Sequence, residues 1–223
     1  MSQLQYRTDI RTLKSTDTLS DALQIVRSSQ LGALPVLRHR KLIGMLHADD
    51  AALIKAAEET PSQTLGSVKF ADPPSLRHDA HCLDAIKQFR RTSLSLLPVV
   101  EADATYLGAI LRRDAEQQLL ELFSLQTDGI LIELETPASI RLSEVIRLLE
   151  QNETRLFTVG TRPVPDSTDR QFLLFHLYTP DAYRLQRTLE RYGYLITYNS
   201  HAGESILDDA ALRAQEFLRY LEL

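Results

Sequence analysis

Cysteine is nearly absent from this chain of 223 residues: Cys82 stands alone, which excludes an intrachain disulfide. Glycine is scarce, at eight residues, and no Gly-rich phosphate loop, G-x-S-x-G or H-E-x-x-H occurs. No apolar run approaches the ~20 residues that span a bilayer. No charged-then-apolar leader opens the chain. The expected setting is therefore cytoplasmic, without a membrane partner. An excess of positive charge is missing too. The net charge is −5 with both signs scattered, which argues against a nucleic-acid partner, because releasing counterions from phosphates requires a basic face. A nucleotide would need only one or two local cations.

Ordinary hydrophobic (43%) and charged (25%) fractions mark a globular chain, and its dominant feature is an internal repeat. Leu19, Ala22, Leu23 and Val26 are spaced i, i+3, i+4, i+7, one face of an amphipathic helix. A shift of 63 gives Cys82, Ala85, Ile86 and Phe89, all apolar again. Leu34-Pro35-Val36 becomes Leu97-Pro98-Val99. One inserted residue changes the shift to 64, and Gly44-Met45-Leu46 becomes Gly108-Ala109-Ile110, with Asp50 becoming Asp114. Each unit reads helix, strand, tight turn, strand, helix. The strands are expected at 33–38 with 42–47 and at 95–100 with 106–111, each unit led by a short strand near 11–13 or 74–76. The turns are Arg38-His39-Arg40-Lys41 and Glu101-Ala102-Asp103-Ala104, and the segment 59–67 connects the units. The basic cluster 38–41 reads as a solvated turn, with a docking patch as its alternative. Neither unit buries a good core alone, whereas two stacked units do.

An alanine-bearing helix, a Leu-Pro-Val strand, then Gly-h-h-x-x-x-Asp (h apolar) resembles a CBS domain, and the tandem resembles a Bateman module over 1–124, with units at about 7–59 and 68–124. The resemblance implies two clefts that take an adenosine compound (AMP, ADP, ATP, S-adenosylmethionine or a cyclic dinucleotide) and a disc that forms a homodimer. It assigns Asp50 and Asp114 to the ribose: a carboxylate at a helix entrance accepts hydrogen bonds from a diol, while the first-turn amides attract an anion. Each aspartate equally fits an N-cap, and Asp114 with Gln117 resembles a capping box. The family pattern has Thr or Ser three residues before the aspartate. Here His47 and Leu111 stand there, and leucine forms no hydrogen bond from its side chain. Arg112 and Arg113 favour a phosphate near Asp114, where the first unit has Ala48-Asp49. Charge thus favours the Asp114 cleft and His47 favours the Asp50 cleft.

The pattern restarts after 124–128. Strands are expected at 129–135, 155–161, 171–178 and 194–198. Helices are expected at 141–151 and after Thr179-Pro180, read as N-cap and first helical position, with Gly193 ending the second helix. The order βαββαβ is ferredoxin-like and, after a CBS pair, resembles the ACT domain of acetoin-utilization-type CBS–ACT proteins over 129–199. The loop Thr136-Pro137-Ala138-Ser139 lacks the Gly with which amino-acid-binding members approach their ligand, so a structural pairing domain is expected. Residues 205–223 carry an apolar stripe (Leu207, Ala210, Ala211, Ala214, Phe217, Leu218, Leu221) that fits either packing in cis or a dimer seam.

His78, His81 and Cys82 lie close together, but Cys82 occupies a core helix position and no metal spacing follows. Asp49-Asp50 and Asp208-Asp209 sit at helix starts, where the macrodipole favours them. Nothing assembles nucleophile, base and oxyanion donor, so no catalysis is expected. The sequence therefore implies an α/β (α+β) regulator: two β-α-β-β-α units, a βαββαβ domain and a C-terminal helix, sensing an adenine nucleotide or related adenosyl metabolite. The alternative is an interaction module with dead clefts that docks to a partner enzyme or transporter.

Overall fold

A computed structural model describes residues 4–201, and the expected helix at 205–223 with Asp208-Asp209 lies outside the described residues. The chain divides into two compact units, Met1–Leu122 and Phe123–Leu223. Among the described residues no helix is long and apolar enough to cross a membrane.

The first unit contains β1 (Leu13–Lys14), α1 (Leu19–Ser28), β2 (Ala33–Arg38), β3 (Lys41–His47) and α2 (Ala51–Glu59), then a 3-10 turn at Leu65–Ser67. The order recurs as β4 (Leu76–Arg77), α3 (Cys82–Phe89), β5 (Leu96–Val100), β6 (Tyr106–Leu111) and α4 (Arg112–Leu122). The sheets are β1-β2-β3 and β4-β5-β6. Their registers repeat as the sequence does: Leu13 pairs with Val36 and Leu76 with Val99, while Val36 faces Gly44 and Val99 faces Gly108. The predicted helix stripe is the buried face of α1, and its equivalents Cys82, Ala85 and Phe89 are the buried face of α3. One continuous core joins both repeats: Leu19, Leu34 and Leu46 from the first share a cluster with Leu96, Leu97 and Ile110 from the second. Neither repeat closes a core by itself at this size.

The hairpin tips also join. His39 and Arg40 both take positive φ (48° and 67°), the two-residue turn whose twist matches its strands. Beyond it, the Leu42 N–H donates to the Ala104 carbonyl (2.9 Å) and the Tyr106 N–H to the Arg40 carbonyl (2.8 Å). Arg38 donates to the Gly66 carbonyl (2.7 Å), so one member of the basic cluster holds the connector.

The second unit runs β7 (Ile130–Pro137), α5 (Leu142–Gln151), β8 (Arg155–Pro163), β9 (Arg170–Tyr178), α6 (Ala182–Arg191) and β10 (Leu195–Asn199). The sheet order β10-β7-β9-β8 is antiparallel throughout, the ferredoxin-like arrangement. Alternation along β7 and β9 turns Ile132, Leu134, Leu173, Phe175 and Leu177 onto Val145, Leu149, Leu185 and Leu189 of the helices. Three boundary expectations are corrected. Thr136 and Pro137 belong to β7 rather than to a loop, because β9 pairs with them through Gln171 and Arg170. The connection between the strands expected at 155–161 and 171–178 narrows, because β8 runs through Pro163 and β9 begins at Arg170. The cap of α6 is Asp181, whose carboxylate accepts from the Arg184 N–H (2.8 Å), while the Thr179 hydroxyl, two residues earlier, accepts from the Asp181 N–H. Gly193 follows α6 at φ +82°, the left-handed residue expected after a helix end.

The Tyr106 hydroxyl at the repeat junction is buried with no hydrogen-bond partner among the described residues, and burial pushes its pKa up to about 12. The unfolded chain ionises this phenol near 10, so its contribution is intact below pH 10 and is lost between pH 10 and about 12. Tyr106→Phe is expected to flatten the alkaline fall of stability over that window in urea titrations. An unchanged alkaline limb would refute this.

Candidate functional site

The repeat creates two equivalent places where a strand ends, turns and enters a helix, and the structure fills them differently. At the first, β3 ends at His47 and Asp50 caps α2. Its Oδ1 accepts from the Ala52 and Leu53 amides, both at 3.1 Å. No ion pair reaches this carboxylate among the described residues. Opposite it lies the segment 68–74. Its Phe70 presses on Gly44 so closely that a Cβ there would come within 2.3 Å of the Phe70 side chain. Glycine is thus required by approach rather than by φ. A cavity of about 430 Å³ remains, lined by Met45, His47, Asp50, Leu53, Phe70 and Pro73 among others. That volume lies within the range of small-molecule sites. His47 also lines a second cavity of about 400 Å³, with Gly32, Asp49, Ser93 and Ser95.

At the second place a shift of 64 maps Phe70 to Tyr6 and Ala71 to Arg7. The close approach to the strand glycine recurs, but here the backbones also pair. Arg7 and Ala109 exchange N–H···O bonds of 2.8 and 2.9 Å. A Cβ on Gly108 would lie 2.2 Å from the Arg7 carbonyl and 2.8 Å from the Tyr6 ring. The lead-in segments are therefore crossed: the one before the first repeat lies on the last strand of the second, and the one before the second lies on the last strand of the first. The side chains differ decisively. Where Ala71 leaves the first cleft open, the Arg7 guanidinium grips Asp114 with both forks, Nε–Oδ2 2.5 Å and Nη2–Oδ1 3.0 Å. The hydrogen bond and charge of Asp114 raise the Arg7 pKa further. Arg113 adds a longer contact to Asp114 at 3.7 Å. The cavity beside this pair is smaller, about 280 Å³.

The expected capping role holds for Asp50 and is corrected for Asp114. With Leu111 buried and the Arg112 N–H donating to the Ser95 carbonyl (2.8 Å), α4 begins at Arg112 and Asp114 sits inside its first turn. Arg112 itself points away from any phosphate role. Its guanidinium donates to the carbonyls of Phe89 (3.2 Å), Thr92 (3.0 Å) and Leu94 (2.8 Å) and lies 4.8 Å from the Phe89 ring. It thereby satisfies the end of α3 and the loop beyond. Of the five predicted residues, His47 and Asp50 share the open cavity, Asp114 meets Arg7 and Arg113, and the Arg112 guanidinium is held by backbone carbonyls. His81 caps α3 by accepting from the Leu83 N–H (3.2 Å), Cys82 is buried, and no metal-holding group occurs among the described residues.

Arg7, Tyr6 and Phe70 escaped the sequence reading, although the repeat signal extends to them: Tyr6 and Phe70 are aromatic at one offset. Gly108→Val is expected to push the Tyr6-Arg7 segment off β6, so that trypsin cleaves after Arg7 faster than in the wild type. Equal cleavage rates, mapped by mass spectrometry, would contradict the crossed packing.

Residues 2–55 and 66–121 match the CBS domain family. Similar solved structures include CBSX2 of Arabidopsis thaliana in complex with AMP (23% identical, covering 53% of this chain and 93% of that one, TM-score 0.43). A CBS domain pair/ACT domain protein from Thermotoga maritima is 19% identical, covering 52% and 93%, with TM-score 0.45. The CBS domains of a transcriptional regulator from Streptococcus pneumoniae are 25% identical, covering 50% and 92%, with TM-score 0.43. No curated protein matches the chain.

Proposed function

We propose that this chain, which belongs to the CBS domain family through a tandem pair at 2–55 and 66–121, is a regulatory module that binds one adenine nucleotide or related adenosyl compound. The ligand occupies the Asp50 cleft. The observation that carries the reading is the Asp50 carboxylate, which meets no cation among the described residues and lines a cavity of about 430 Å³ opposite Phe70. A carboxylate at that place accepts hydrogen bonds from a ribose diol, and an aromatic ring with Met45 offers an apolar surface to a base. The Asp114 cleft is occupied by the chain's own Arg7 and serves to hold the repeats together.

Regulation follows from what the cavity touches. Its lining joins the end of β3, the start of α2 and the connector between repeats. A ligand there shifts an equilibrium between two arrangements of these parts only by its difference in affinity for them. The 129–199 domain is read as an ACT-like module that pairs two copies of the chain in a homodimer, with a regulated protein as downstream partner and no catalytic step.

Thermal melting against AMP, ADP, ATP and S-adenosylmethionine tests the reading. A ligand present at ~100-fold its Kd adds about 2.7 kcal/mol to stability. Asp50→Ser keeps a capping oxygen and is expected to abolish the shift, while Asp114→Ala is expected to retain it. Loss of the shift in Asp114→Ala but not in Asp50→Ser would overturn the choice of cleft. No shift with any compound in the wild type would overturn the adenosyl reading.

A further inference from the structure

Phosphate binding needs cations or free amides, and the open cleft is short of both. The two first-turn amides of α2 that would meet an anion, those of Ala52 and Leu53, already donate to Asp50. The repeat places Ala48-Asp49 where the other unit has Arg112-Arg113, and Ala71 where it has Arg7. The charged side chains lining the two cavities around His47 are therefore Asp49, Asp50, Asp72 and one cation, the exposed Lys69. Asp49, which lines the second cavity, makes no ion pair among the described residues. His47 borders both cavities, so a ligand with its nucleoside against Phe70 can send a tail past His47 toward Asp49 and the Ser93 hydroxyl.

We propose that this cleft selects an adenosyl compound that carries no phosphate and bears positive charge on its 5′ tail, of the sulfonium or ammonium class, and that it disfavours nucleoside di- and triphosphates. The inference rests on the reading of the Asp50 cleft as an adenosyl site. It adds the charge of the tail, which that reading leaves open. Three carboxylates against one solvated ammonium repel a polyanion, and the water-facing position of Asp49 keeps the attraction for a cation modest.

Isothermal titration of the full chain at low ionic strength with adenosine, AMP, ATP, S-adenosylmethionine and S-adenosylhomocysteine separates the outcomes. The last two differ by the sulfonium charge. S-adenosylmethionine is expected to bind about two- to fivefold more tightly than S-adenosylhomocysteine, the ratio that corresponds to one exposed ion pair. Asp49→Asn is expected to remove that difference while leaving adenosine affinity unchanged. ATP is expected to bind at least about tenfold more weakly than adenosine. If ATP or AMP binds more tightly than adenosine, the charge inference is overturned and the adenosyl site stands. If the two sulfur compounds bind equally in the wild type, the cationic tail is overturned. If none of the five binds, the underlying site reading fails and this inference fails with it.

Discussion

Two missing side chains govern the first unit. At Gly44 and Gly108 the last strand of each repeat is bare, and the lead-in segment of the other repeat comes down onto it. A Cβ at either place would meet atoms at 2.2–2.3 Å, well inside contact distance, so no other residue permits this approach. The crossing ties residues near the start of the chain to β6 and ties the inter-repeat connector to β3. Each cleft therefore has a floor from one repeat and a wall from the segment leading into the other. A ligand in such a cleft touches the connection between repeats, which is what a regulatory site needs if binding is to change their arrangement.

The same crossed approach to a strand glycine carries opposite electrostatics in its two copies. In one, Arg7 meets Asp114 in a bidentate pair of the kind that guanidinium and carboxylate form by shape. In the other, alanine replaces the arginine, and the carboxylate of Asp50 turns to its own helix amides. One site is closed by an internal cation and the other is left open with surplus negative charge. The repeat has been kept where packing requires it, in the apolar helix faces and the two glycines, and has diverged where ligands would be held.

Much of this was legible in the sequence. Helix faces, hairpins and the offset of 63 then 64 follow from periodicity, because packing fixes them locally. The βαββαβ order was legible for the same reason, and its sheet order confirms the ferredoxin-like plan. The clefts were less legible. Arg112 and Arg113 suggest a phosphate site by their place at a helix entrance, yet Arg112 is drawn to three carbonyls at the end of α3 and beyond it, and no local pattern announces that. Asp114 with Gln117 fits a capping box as well as a ribose contact in the sequence, but α4 already begins at Arg112, directly after β6, and places Asp114 inside its first turn. Arg7 lies 107 residues from its partner, and only the crossed topology brings them together.

On the proposed reading, one repeat holds a ligand and the other is filled by the chain's own Arg7. The number of adenosyl molecules bound per chain at saturation, measured by calorimetric titration or equilibrium dialysis, tests it most directly. One molecule per chain is expected in the wild type, with Arg7 still protected from trypsin in the bound state. Two molecules per chain, or binding that exposes Arg7, would mean that the Arg7–Asp114 pair yields to ligand and that both clefts bind.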